Sequence, residues 1–314
     1  NNQAESQELT IKGFENALTV DNADGKLEVN KVVFSSNTGT AVITNNGTTV
    51  LNGVTFDDTN TADADVANNG DLLLSQSSST FTKGIVGQGT TTIKGVGIDM
   101  GDATLQQSRV EISDVEGSSL TARVANTEVA LFMNNGELSL IGGEADAVEL
   151  SSEINGIGDT TLSDMINVAN NISQENIIIS ENAQITVNDT ASIKASTITV
   201  NADATLTANA GNIITTTDGK IANEGEITFT GGTNNNIITG DQGKIFIDMN
   251  AEVINSTGTK ITQQFIEVRE GGKFTMNADD VETATDDASG TNVFGIQNNG
   301  DLEITEETAD EASK

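Results

Sequence analysis

Apolar and polar positions along this chain alternate as they do in β-strands, and small polar clusters break the alternation at short intervals. The runs LTIKGF from Leu9, ALTV from Ala17, GKLEV from Gly25 and KVVF from Lys31 are alternating or β-branched, and Asp21-Asn22-Ala23-Asp24-Gly25 divides two of them. Such runs between turn residues predict short strands joined by tight corners. Within this pattern one block recurs: apolar residues, Asn-Asn-Gly or a relative of it, a polar residue, then alternating apolar residues. It reads AVITNNGTTVLNGVTF from Ala41, ADVANNGDLLLSQSSSTF from Ala64 and GIVGQGTTTIKGVGIDM from Gly84. Further copies are LFMNNGELSLIGG from Leu131, IANEGEITFTGG from Ile221 and VFGIQNNGDLEIT from Val293. The turn glycines are Gly47, Gly70, Gly89, Gly136, Gly225 and Gly300, with gaps of 23, 19, 47, 89 and 75 residues. Those gaps are near one, one, two, four and three units of about 22 residues, the repeat scale of a solenoid.

The Asn-Gly pairs supply residues that tolerate positive φ, so each reads as a corner used again on every coil. A second register agrees with the first. Phe34, Phe56 and Phe81 close successive units in the contexts VVF, VTF and STF, with gaps of 22 and 25 residues. In coils of that length the three rings are expected to stack on an interior face. The middle is less regular: over Thr160–Ile172 the apolar residues Leu162, Met165, Ile166, Ala169 and Ile172 fall at helical spacing, which predicts a single-turn insertion or a short helix packed on one face. Strand patterning returns at Asn176 and runs to Asn277, and the acidic stretch Asp279–Gly290 reads as a surface loop. The expected fold is all-β, a single right-handed parallel β-helix (β-solenoid) of about 14 coils. Residues 1–8 are expected to be a polar lead-in, 9–305 the β-helix, and 306–314 a polar tail.

Composition narrows what such a scaffold does. There is no Cys, His, Trp, Tyr or Pro among the 314 residues. Without Cys there are no disulfides, thiolate metal sites or thiol nucleophiles, and without Pro no ladder loses a donor. No apolar stretch approaches the length of a membrane span. The balance of 14 Lys and Arg against 47 Asp and Glu leaves a net charge of −33. That surface repels nucleic-acid phosphates and attracts cations.

Catalytic machinery is scarce. Lacking His and Cys, the chain cannot build the common nucleophile–base pairs. Paired carboxylates at Asp57-Asp58, Asp279-Asp280 and Asp286-Asp287 have the chemistry for glycoside hydrolysis. Each, however, lies in a turn-like stretch of a very acidic chain, and reads as solvated loop acids. The three arginines, Arg109, Arg123 and Arg269, are dispersed rather than clustered for acidic sugars. We therefore expect no catalytic residues, no cofactor and no enzyme. Calcium is the one ligand that the oxygen donors suit, and Asp63 with Asp65, and Asp279 and Asp280 with Asp286 and Asp287, are its candidate ligands. Neither an EF-hand loop nor a calcium-binding nonapeptide is present.

The repeated NNG with its alternating apolar residues and following Phe, from Leu9 to about Thr305, resembles secreted bacterial parallel β-helix proteins, namely autotransporter passenger domains and large repeat adhesins. The resemblance implies a non-enzymatic structural or adhesive rod at the bacterial surface or outside the cell. Its partner would be a receptor on a host or neighbouring cell. The alternative is a subunit that stacks end to end through open strand edges into a filament or sheath. A polysaccharide-processing enzyme on the same scaffold is the third reading. The chain departs from a full autotransporter in having no recognisable translocator barrel.

Overall fold

The computed structural model describes residues 9–283 and 295–305. It is all-β, with parallel coils stacked into a β-solenoid of about 13 turns, and 2% of it is helical. The helical residues among those described are two single 3₁₀ turns, Val124–Asn126 and Ala210–Asn212. Strand partners in successive coils run parallel, as in Ala41–Asn45 beside Ala64–Asn68, while an isolated bridge between Gly143 and Met165 is antiparallel.

Two compact units divide the chain, one made of residues up to Ile141 with Ser151–Thr160, the other of Gly142–Leu150 with Thr161 onward. In the first, the period-2 alternation sends every second side chain inward, where it meets its counterparts in adjacent coils. One such row is Leu18, Ile43, Val66, Ile85 and Leu105. Another is Val29, Leu51, Leu74, Ile93 and Ile112. Burying each such side chain contributes about 1.5–3 kcal/mol, and a coil's thin inner strip becomes stable only through the coils on either side. The phenylalanines form one of these rows. Phe34 and Phe56 stack with ring centroids 5.3 Å apart at 12°, and Phe56 and Phe81 at 5.5 Å and 21°.

The second unit is built the same way, around Val148, Ile166, Ile185, Leu206, Ile227, Ile245 and Ile266. A second wall carries Ile177, Ile198, Ile221, Ile238 and Ile261. The helix expected over Thr160–Ile172 is absent. Strands Asp159–Ser163, Met165–Val168 and Ile172–Ser173 take its place. Asp164, at φ 58°, makes a corner between the first two. That corner takes one inward place without changing the phase of the alternation, so the inward residues Leu162 and Ile166 stand four apart, a spacing that mimics a helix face. Of the acidic stretch Asp279–Gly290, residues 284–290 lie outside the described residues; the described part departs from expectation, a turn at Asp279 and Asp280 leading into strand Val281–Thr283, paired with Ile261–Gln263.

Candidate functional site

The recurring Asn-Asn-Gly corner is a hydrogen-bonding device. Its first asparagine points inward, and Asn45, Asn68, Asn134 and Asn223 are fully buried. A buried primary amide has to be bonded through both ends. The oxygen closes the asparagine's own corner, accepting from the glycine nitrogen two residues on: Gly47 to Asn45 at 3.2 Å, Gly136 to Asn134 at 3.1 Å, Gly225 to Asn223 at 3.2 Å. The nitrogen clamps the following coil, donating to a backbone carbonyl just past the next corner. The partners are Asp71 O for Asn45, Thr90 O for Asn68, Asp159 O for Asn134 and Lys244 O for Asn223, at 2.8–3.2 Å. Asn45 Nδ2 also reaches Asn68 Oδ1 at 2.8 Å, joining two coils directly.

Two of the coils that lack the inward asparagine carry Gly87 or Gly240 at that corner instead. A glutamine from the coil beyond fills the space. Gln107 Oε1 accepts from Asn68 Nδ2 at 2.7 Å while its amide nitrogen reaches Gly87 O at 3.4 Å and Gln106 O at 2.7 Å. Gln263 repeats the arrangement with Asn223 at 2.5 Å, Gly240 O at 3.3 Å and Thr262 O at 2.8 Å. Gly87 and Gly240 have φ of 123° and 156°. A Cβ on either would sit within 2.3 Å of the asparagine carbonyl below. The sequence signal for these glutamines is a corner with Gly in place of Asn, followed one coil later by Gln.

The turn glycines have a different reason from the one their sequence suggests. Gly47, Gly70, Gly89, Gly136, Gly225 and Gly300 stand at corners, but none has φ in the left-handed region. Their need is space: a Cβ on Gly70 would lie 2.1 Å from Gly47 O, and one on Gly89 2.3 Å from Gly70 O. The corners stack backbone on backbone, and only hydrogen fits between them.

Asp65 is fully buried beside the phenylalanine row. Its Oδ2 accepts from three consecutive backbone nitrogens, Thr82 at 2.7 Å, Lys83 at 2.8 Å and Gly84 at 2.9 Å, and Oδ1 meets Thr82 Oγ1 at 3.3 Å. Burial raises its pKa above the usual aspartate value, against the lowering effect of those hydrogen bonds. Asp63, the other half of the candidate calcium pair, is exposed. Because the Asp65 carboxylate is ringed by N–H donors, its environment is opposite to that of a cation ligand, and it ties the 82–84 loop to strand Ala64–Asn68. Asp280 is likewise buried, accepts from Gly258 N at 2.6 Å and faces Lys260 Nζ at 3.6 Å. Asp279 is exposed, and its nitrogen donates to Asn277 Oδ1 at 3.1 Å. Asp286 and Asp287 lie outside the described residues. Among the described residues, no group of three or more acidic side chains is placed to hold a metal ion. The Asp57 carboxylate accepts from Thr59 N at 2.7 Å, a bond that holds its pKa below the usual value.

Each unit has a surface cleft. In the first, about 490 Å³ opens beside Phe81, Met100 and Ala103, rimmed by Thr80, Asp99 and Asp102. Asp102 there is bonded to Arg123 at 2.9 Å. In the second, about 340 Å³ is lined by Asp203, Glu224, Glu226, Gln242, Lys244 and Gln264. Two of its carboxylates are engaged, Glu226 with Lys244 at 3.4 Å and Glu224 with the Gln242 nitrogen at 3.2 Å. Comparison with family models, curated proteins and solved structures finds no match for the chain.

Proposed function

We propose that this chain is a non-catalytic β-solenoid module of the adhesive or structural kind, working at a bacterial surface or outside the cell in the manner of passenger and adhesin β-helices. The observation that carries the reading is where the buried polar groups are spent. Asn45, Asn68, Asn134, Asn223, Gln107, Gln263 and Asp65 bond coil to coil, so the interior chemistry builds the stack. Recognition then falls to outward side chains on the strand faces. These are short and polar or acidic, and they suit a solvated surface that meets a partner at low nonspecific affinity.

The test is saturable binding of fluorescently tagged protein to bacterial and animal cells, run beside sedimentation velocity and a reducing-end assay on a polysaccharide panel. Saturable binding by a monomer supports the adhesive reading. Species that grow with protein concentration would replace it with end-to-end assembly. Release of new reducing ends would replace it with a polysaccharide-processing enzyme.

A further inference from the structure

The chain contains six Asn-Gly dipeptides, at 46–47, 52–53, 69–70, 135–136, 155–156 and 299–300. In such a pair the glycine nitrogen can attack the side-chain amide carbon of its own asparagine, because no Cβ hinders the approach. For that step the nitrogen must lose its proton and turn toward the carbon. A glycine N–H that donates a hydrogen bond is held in place and keeps its proton, so the fold decides which pairs are able to react.

Four of the six glycines donate. Gly47, Gly136 and Gly300 bond to the side-chain oxygens of Asn45, Asn134 and Asn298 at 3.2, 3.1 and 3.1 Å. Gly53 bonds to Ser77 O at 2.9 Å. Gly70 and Gly156 donate to no acceptor among the described residues. Each exception has a local cause. At Gly70 the atom that would serve, Asn68 Oδ1, already accepts from Asn45 Nδ2 at 2.8 Å. At Gly156 the residue two places back is Ile154, whose side chain offers no acceptor, and the neighbouring Glu153 Oε1 accepts from Asn155 Nδ2 at 2.8 Å. Asn69 is exposed, and its Oδ1 accepts from Gln88 N at 3.3 Å, a contact that polarises the carbonyl under attack.

We propose that Asn69 and Asn155 are sites of spontaneous deamidation in the folded protein, and that the fold protects the other four asparagines. The glycine nitrogen forms a bond to Cγ, and the bond from Cγ to the amide nitrogen breaks. Ammonia leaves with the proton that the glycine nitrogen gives up, and a succinimide remains. Water then opens either imide C–N bond, giving aspartate or isoaspartate. At Asn69 the product loses the amide that donates to Asn46 Oδ1 at 3.2 Å and sets a carboxylate against that oxygen. The isoaspartate also lengthens the main chain where Gly70 packs directly on Gly47. Modification there would loosen one corner of the stack and mark the age of the molecule.

The experiment incubates the folded protein at neutral pH and physiological temperature in heavy-oxygen water, whose label enters the new carboxylate. Peptide mass mapping then reads each site. Label is expected to enter the Asn69 and Asn155 peptides about fivefold faster than the others, the factor set by one net hydrogen bond. In denaturant all six pairs should react at similar rates. An Asn45→Ala variant removes the acceptor of Gly47 N and frees Asn68 Oδ1 for Gly70 N, so reactivity should move from Asn69 to Asn46. If that variant does not fold, the wild-type comparison of folded and denatured chains still decides. Equal rates at all six sites in the folded protein would overturn the proposal. So would protection of Asn69 and Asn155 under conditions in which the denatured chain reacts.

Discussion

Asn68 Nδ2 and Gln107 Oε1 meet at 2.7 Å although 39 residues separate them. The bond skips a coil. It exists because the intervening corner carries Gly87, which leaves a hole where an asparagine would stand, and glutamine is one methylene longer than the residue it replaces. The same relation joins Asn223 to Gln263 across 40 residues. Two independent occurrences make it a rule of this stack.

Gln107→Leu should therefore destabilise the protein by about 2 kcal/mol, the cost of leaving the Asn68 amide and the Gly87 carbonyl short of partners. Gln106→Leu, at an outward neighbour that bonds Glu128 at 2.8 Å, should cost under about 0.5 kcal/mol. Urea midpoints of the two variants would separate these outcomes, and equal shifts would refute the bridging role.

Backbone stacking at the corners predicts an asymmetry among glycines. Gly70→Ala pushes a Cβ to 2.1 Å from Gly47 O and should cost about 3 kcal/mol or more, because the obstacle is backbone and cannot swing away. Gly101 has φ 52° but nothing within 4 Å of the added carbon. Its alanine variant should lose only about 1 kcal/mol, the strain of the left-handed conformation. Thermal melting of both would check the order, and the reverse order would mean that φ, not space, selects these glycines.

Thr49 is fully buried in an inward row between Leu27 and Leu72, and its hydroxyl oxygen has no hydrogen-bond partner among the described residues. Thr49→Val removes the unpaired group and keeps the shape. We expect a gain of about 1 kcal/mol, read as a higher denaturation midpoint. A loss would show that the hydroxyl finds a partner in solution.

The Asp65 carboxylate carries a pH dependence whose sign can be worked out. Its folded pKa is raised by burial, so between the usual aspartate value and that raised value the folded state holds more protons than the unfolded chain. The stability it contributes is full below the unfolded pKa and is lost as pH rises through the folded one. Asp65→Asn should remove this slope and keep the loop in place. All three backbone donors converge on one oxygen, and the new amide nitrogen would face Thr82 Oγ1 in place of the other. The difference in stability between wild type and variant, followed from mildly acidic to neutral pH, should therefore move in the variant's favour as pH rises. A difference that is flat, or that moves the other way, would show that the hydrogen bonds outweigh burial.

Much of the architecture was legible because a strand's period of two and a repeat of about 22 residues are both written in one dimension. The stacked rings of Phe34, Phe56 and Phe81 follow from a matched context one coil apart. The misread segment, Thr160–Ile172, shows the limit. A corner residue such as Asp164 stands where an inward apolar residue would fall in an alternating pattern and produces a helix-like spacing without a helix. The acids were less legible still. Asp63 and Asp65 look alike in sequence, yet one is in solvent and the other lies under three backbone donors.

The sequence by itself determined the all-β class, the repeat length and the rows of inward residues, since these depend on neighbours along the chain and on their alternation. The tertiary structure alone decided what the polar residues do. Asn45 and Asn46 are adjacent and identical, but the first is buried and bonded to the next coil while the second faces outward. Which of them turns in depends on where the corner falls, and that is set by contact with coils more than 20 residues away. Gln107 finds its place because Gly87 leaves one vacant. A hydrogen bond needs distance and direction as well as residue type, and only the stacked coils supply those.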